Sequence, residues 1–175
     1  MTSSDWMLPT EAFDWISREI QCGQKILEFG SGEGTRRLTE NFKVFSIEHD
    51  SVWAERAPSI CHHIPIQENP TSDSHGEKGW YEIEKVLDVI NDDFALIIID
   101  GPPGTIGRNG ILQIIEKLPR TNYLVDDVHR VAELHLLHSL ESHFDCKSSI
   151  HESYYENGNP RRWATLQLKA QGKVV

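Results

Sequence analysis

No stretch constrains the fold of this chain more than Lys25-Ile26-Leu27-Glu28-Phe29-Gly30-Ser31-Gly32-Glu33-Gly34-Thr35. A short apolar run, broken by one acidic residue, passes straight into a glycine-rich turn. Fourteen residues beyond Gly34, a second apolar run, Val44-Phe45-Ser46-Ile47, ends in Glu48. A strand, a Gly-rich turn, a helix and a second strand with a terminal carboxylate form a nucleotide-binding βαβ half. The glycines let the backbone approach a ligand closely and take φ > 0. The carboxylate at the end of the second strand can accept both hydroxyls of a ribose.

The spacing decides which nucleotide. The dinucleotide fingerprint is G-x-G-x-x-G, whereas Gly30, Gly32 and Gly34 run G-x-G-x-G. Glu28 also stands two positions before the first glycine. A diphosphate prefers a helix N-terminus with no carboxylate beside it, because that end is positively polarised. Glu28 is therefore a poor neighbour for a pyrophosphate and a good one for a ligand carrying an ammonium group. The stretch Glu28-Phe29-Gly30-Ser31-Gly32-Glu33-Gly34 resembles motif I of the class I S-adenosylmethionine (SAM)-dependent methyltransferases, and Glu48 matches that family's ribose-binding acidic residue. The resemblance implies an enzyme with SAM as cofactor. Glu28, Gly30, Ser31, Gly32, Gly34, Thr35, Glu48 and His49 would surround the cofactor, with Asp100 reaching it from later in the chain.

The chain has 175 residues, the size of one domain with a substantial core. We expect a helical cap over residues 1–23 and a Rossmann-like core over 24–169. A formal net charge of −10 argues against a nucleic-acid backbone as partner, since phosphate neutralisation needs clustered Lys and Arg. Cys22, Cys61 and Cys146 are far apart and odd in number, with no C-x-x-C, so neither a disulfide framework nor a structural zinc site is indicated. A reduced cytoplasm is the simplest reading. The first residues lack the basic-then-apolar pattern of a signal peptide, and the apolar run Phe94–Ile99 is far too short to span a bilayer. No membrane partner is expected.

Apolar spacing predicts an amphipathic helix over 10–22, strands at 25–30 and 43–48, and a helix at 33–41 between them. A short helix around Val52, Trp53 and Ala57 stops before Pro58. A weak strand follows at 60–66, a polar mobile loop at 67–79 and a helix at 80–91. Ala95–Ile99 is a continuous apolar run, as expected of a parallel strand covered on both faces. Gly101-Pro102-Pro103-Gly104 then forbids regular structure. A helix at 109–118, a strand at 123–125 and a long helix at 128–143 follow. Residues 144–154 and 162–169 close the chain as an antiparallel pair. Alternating strands and helices indicate α/β: a Rossmann-like, doubly wound, mostly parallel seven-stranded sheet with a C-terminal antiparallel hairpin.

Ligands of open α/β sheets sit beyond the carboxyl ends of the strands. Carboxylates gather there: Glu28, Glu48, Asp100 after the fourth strand, and Asp126-Asp127 after the fifth. Crowding them carries a repulsive and desolvation penalty, which a cationic ligand, a divalent ion, or both would relieve. One Asp after strand four and an Asp-Asp pair after strand five resemble the divalent-metal-dependent small-molecule O-methyltransferases of the catechol and sugar- or macrolide-modifying types. That resemblance makes Asp100, Asp126 and Asp127 candidate ligands for Mg²⁺, which would lower the pKa of the attacking hydroxyl. His129, or Asp100 itself, is the candidate base. The pattern departs from both types: Pro102 stands where sugar-modifying relatives often carry a second acidic residue, and the lysine that the catechol type has just after its strand-four Asp is missing, the next basic residue being Arg108. Arg108, in the loop expected to overhang the site, is the candidate substrate contact. Asp127 is also placed to cap the long helix.

The expected partner is a small-molecule acceptor, a sugar or natural-product precursor. A site with so little cover of its own is one that a second copy of the chain could complete. The alternatives are a metal-independent methyltransferase on N or O, an aminopropyltransferase-like enzyme and a non-catalytic SAM-binding domain.

Overall fold

The computed structural model describes residues 7–68, 77–155 and 157–168. Helix α1 (Thr10–Glu19) precedes β1 (Lys25–Phe29), α2 (Glu33–Thr39), β2 (Lys43–Glu48), α3 (Ser51–Arg56) and β3 (Ile60–His63). A short pair, β4 (Ile66–Glu68) and β5 (Gly79–Tyr81), leads into α4 (Ile83–Ile90) and β6 (Leu96–Ile99). A 3₁₀ helix (Asn109–Lys117), β7 (Asn122–Val125), α5 (Val131–Phe144), β8 (Ser149–Tyr154) and β9 (Pro160–Leu166) complete the chain. The main sheet has seven strands in the order β3-β2-β1-β6-β7-β9-β8. The first five are parallel, and β9 runs antiparallel to both its neighbours, β7 and β8. The α/β architecture, the seven-stranded mostly parallel sheet and the terminal hairpin match expectation.

Strand alternation builds two cores. Leu27, Phe29, Ile97, Ile99, Tyr123 and Val125 point to the face covered by α4, the 3₁₀ helix and α5. Ile26, Leu96, Ile98 and Leu124 point to the face covered by α1 and α2. Each fully buried aliphatic or aromatic side chain contributes about 1.5–3 kcal/mol. By the same alternation Glu28 occupies a core position on the second face, opposite Ile98 in register.

Where the elements differ from expectation, burial or backbone strain is the reason. Trp80 and Tyr81 belong to β5 and not to the helix expected over 80–91. Both are buried, with ring centroids 5.7 and 6.0 Å from that of Phe29. The ends of the expected loop pair as β4–β5, and residues 69–76 lie outside the described residues. Strand β3 ends before Pro65, which cannot donate to a ladder. The segment after Arg108 is 3₁₀, with a kink at Ile114 (φ −114°, ψ 16°). Asp127 is not a helix cap: it takes φ 59°, and α5 starts at Val131 behind Arg130. Among the described residues no helix is long and apolar enough to cross a membrane. All three cysteines are free.

Register sets the rim. Phe29 pairs with Ile99, and Ile99 with Val125, so Gly30, Asp100 and Asp126 leave the sheet side by side. There the two turns touch: a Cβ on Gly101 would lie 2.6 Å from the Gly30 Cα and 2.8 Å from its N. Gly101→Ala should therefore destabilise the fold by about 1–3 kcal/mol, the usual range for forced overpacking, read as a lower urea midpoint at unchanged slope.

Candidate active site

A cavity of about 570 Å³ opens over this rim. One half is lined by Glu28, the Gly30–Thr35 turn, Glu48, His49, Asp50 and Trp53. The other is lined by Asp100, the Gly101–Gly104 segment, Arg108, Asp127, Arg130, Tyr155, Asn157, Asn159 and Arg161.

Glu28 is only 5 % exposed. Its Oε1 accepts from Thr35 Oγ1 (2.7 Å) and Ser46 Oγ (2.5 Å). No described residue donates to Oε2. Burial pushes this carboxyl up to about 7, against the hydroxyl donors that favour its charge. Glu48 is the opposite case. Burial opposes its charge, but the His49 ring, its Nδ1 2.8 Å away, and the backbone N–H groups of Asp50 (2.8 Å) and Ser31 (2.7 Å) hold it below the usual carboxylate range, and His49 N also donates to it (2.7 Å). A carboxylate offers about four acceptor sites; the three backbone N–H groups and the weak contact to Ser31 Oγ at 3.3 Å fill them. A ribose hydroxyl would therefore bind Glu48 by displacing Ser31 Oγ.

Gly30 takes φ +88°, as the turn requires. Gly34 serves packing instead. A Cβ there would lie 3.1 Å from Met7 Cγ and 3.2 Å from Phe13 Cζ, so its bare backbone admits the N-terminal segment onto α2. Trp53, half-exposed on α3 beyond Glu48, forms a flat apolar wall of the cavity. In the sequence only its position five residues after Glu48 could have marked it. Asp50 holds that wall by capping α3 at Val52 N (2.8 Å) and Trp53 N (3.3 Å).

Asp100, Asp126 and Asp127 do come together, with carboxylate oxygens within 4.8 Å of one another. Three arginines come with them, which no spacing in the sequence announces. Asp126 is fully buried, and both its oxygens accept from Arg161. Asp127 accepts from Tyr155 Oη (2.9 Å) and Arg108 Nη2 (3.2 Å), and Arg130 Nη2 lies 3.0 Å away. Burial opposes its charge, yet Arg108, Arg130 and Arg161 hold Asp127 below the usual range. Among the described residues the Asp100 carboxylate meets only Arg108 Nη2, at 3.3 Å, and it is the most exposed of the three. Burial first and the Asp126 charge second push it well above the usual carboxylate range. With buried Glu133, 3.9 Å from Arg108 Nε and 3.4 Å from Arg130 Nη1, four carboxylates share three guanidiniums. Arg161 engages both oxygens of Asp126, and Tyr155, Arg108 and Arg130 engage those of Asp127, so as arranged these two offer Mg²⁺ few free oxygens.

Arg108 differs from its expected role. It is buried, and Nε, Nη1 and Nη2 donate to Pro102 O (3.2 Å), Asp126 O (3.1 Å) and Asp100 O (2.5 Å). It clamps the loop to the rim and has little left for a substrate. His129 is exposed outside the cavity lining, its ring 6.3 Å from that of Tyr155, so geometry does not favour it as the base.

No family model matches the chain, and no curated protein matches it. Solved structures do. A protein from Methanobacterium thermoautotrophicum described as precorrin 8W decarboxylase superposes with a TM-score of 0.59 at 15% identity, over 96% of this chain and 100% of that one. The chain has the class I methyltransferase fold. The O-methyltransferase TomG from Streptomyces achromogenes, solved with SAM, superposes at 0.59 and 12% identity, over 94% of this chain and 82% of that one. An rRNA methylase from Streptococcus thermophilus superposes at 0.56 and 12% identity, over 90% and 94%. At such identities the likeness concerns the fold.

Proposed function

We propose that this chain is a SAM-dependent methyltransferase acting on a hydroxyl of a small neutral molecule, such as a sugar or natural-product precursor, without a metal ion. The observation that carries the reading is Glu28: a carboxylate in a core position that lines a cavity reaching Asp100, with no donor to its Oε2 among the described residues. Six carboxylates line the cavity against three guanidiniums. That surplus suits a ligand with an ammonium and a sulfonium and disfavours a polyphosphate acceptor. The net charge of −10 points the same way, away from RNA.

Glu28 would receive the ammonium, Glu48 a ribose hydroxyl, and Trp53 the face of the base. Bound there, SAM supplies an electrophilic methyl group on sulfur, and the acceptor oxygen that takes it must lose a proton. Asp100, the most exposed of the three rim aspartates and part of the cavity lining, would accept that proton. Arg108 holds Asp100 in place, and the cavity walls align the acceptor.

The test is S-adenosylhomocysteine release with a panel of sugars and phenols. Asp100→Asn should lower turnover at saturating SAM by about a hundred- to ten-thousand-fold, the range for losing a general base. Activity should survive EDTA, and millimolar Mg²⁺ should leave the melting temperature unchanged. Loss of activity on chelation, restored by Mg²⁺, would replace this reading with the metal-assisted one.

A further inference from the structure

Arg108 orders the rim, but its own turn needs a support. The turn is pressed onto the strand segment 77–81 by two glycines. A Cβ on Gly107 would lie 2.4 Å from Glu77 Cβ, and one on Gly110 would lie 2.1 Å from Trp80 Cβ. Lys78 N and Gly79 N donate to Ile106 O at 2.6 and 3.2 Å. Buried Glu77 then accepts from Arg108 N (2.9 Å), Asn109 N (3.2 Å) and Asn109 Nδ2 (2.9 Å). Asn109 Nδ2 lies 3.0 Å from Ala132 O on α5, tying the seat to the helix that follows Asp127. Glu77 lines no part of the cavity.

We propose that Glu77 is a positioning residue for the transfer site: it seats the turn that carries Arg108, and through Arg108 it fixes the Asp100 carboxylate. The role given to Asp100 rests on the methyltransferase reading; the seating of Arg108 does not. Two buried backbone N–H groups and one amide depend on this carboxylate, and unmet buried donors destabilise their segment. Removing the acceptor therefore loosens the 107–109 turn first. The Arg108 guanidinium, which reaches three carbonyls on two other segments, loses register with it.

The experiment is NMR of the full chain carrying ¹⁵N-arginine. The Arg108 Nε–H, held to Pro102 O, should give a protected signal, identified by its loss in Arg108→Lys. Arg161 Nε–H, held to Asp126, is the internal control. Glu77→Gln keeps the shape but can turn an NH₂ group toward the two backbone donors. It should broaden the Arg108 signal or speed its solvent exchange about tenfold, as local opening does, and leave Arg161 unchanged. Calorimetric titration of Glu77→Gln with SAM should give wild-type affinity, while Asp100-dependent turnover falls at constant SAM KM. An unchanged Arg108 signal in folded Glu77→Gln overturns the proposal, as does equal loss of both signals. If Glu77→Gln does not fold, Glu77→Asp reads the same pair of signals. If the wild type binds no SAM, the functional reading fails while the NMR result still decides the seating.

Discussion

Glu28→Gln is expected to stabilise the empty protein and weaken SAM binding in the same variant. The glutamine keeps an oxygen for Thr35 and Ser46 but removes a charge from a core position. Glu28 is raised from 4.5 to about 7 by burial. At 1.36 kcal/mol per unit, ionising it in the folded state costs about 3 kcal/mol. The sign follows from the folded value lying above the unfolded one. The protonated carboxyl favours folding below pH 4.5, and that contribution is lost as pH rises through about 7. Wild-type stability should therefore fall between those values, and Glu28→Gln should lack that component of the fall. At pH 8 the variant should unfold at a higher urea concentration. A hydrogen bond to a charged group contributes about 1.5–3 kcal/mol, so SAM affinity should drop roughly ten- to a hundredfold. A variant that is less stable at pH 8, or that binds SAM like the wild type, would remove Glu28 from the site.

The second large effect belongs to Arg161. It is buried, donates to both oxygens of fully buried Asp126, and reaches Met7 O at 2.5 Å and the Tyr155 ring at 5.1 Å. Arg161→Met removes one partner of a buried pair and leaves the other charge uncompensated, at about 3–5 kcal/mol. The melting temperature should fall by many degrees. Adding Asp126→Asn to Arg161→Met should restore much of the loss, since the stranded charge is then gone. If Arg161→Met is neutral, the two groups are not the closed pair described, and Asp126 becomes free to serve a cation.

The glycine turn, most of the strands and the carboxylates at their ends are legible in the sequence because each is local. Gly30 follows an apolar run, and Glu48, Asp100 and Asp126 close others, so strand ends mark themselves. The arginines are not legible. Arg161 comes from an antiparallel strand 35 residues after Asp126, and no spacing rule links them. Arg108 reads as a substrate contact because loop position suggests exposure, whereas only the fold shows three carbonyls around it. His129 is attractive as a neighbour of Asp127, but the φ of 59° at Asp127 turns the chain, and the side chain ends outside the cavity. Trp80 fits a helical spacing, but its place in β5 is decided by the Phe29 ring and the Gly110 backbone, both distant in sequence.

The central claim is that the cavity over Glu28, Glu48 and Asp100 binds SAM. Calorimetric titration of the full chain with SAM, in EDTA and at several pH values, tests it most directly. The expected result is saturable one-site binding in the micromolar range that needs no metal and weakens as pH falls through about 7, where Glu28 takes up its proton. Absence of binding throughout, or binding only when Mg²⁺ is supplied, would contradict it.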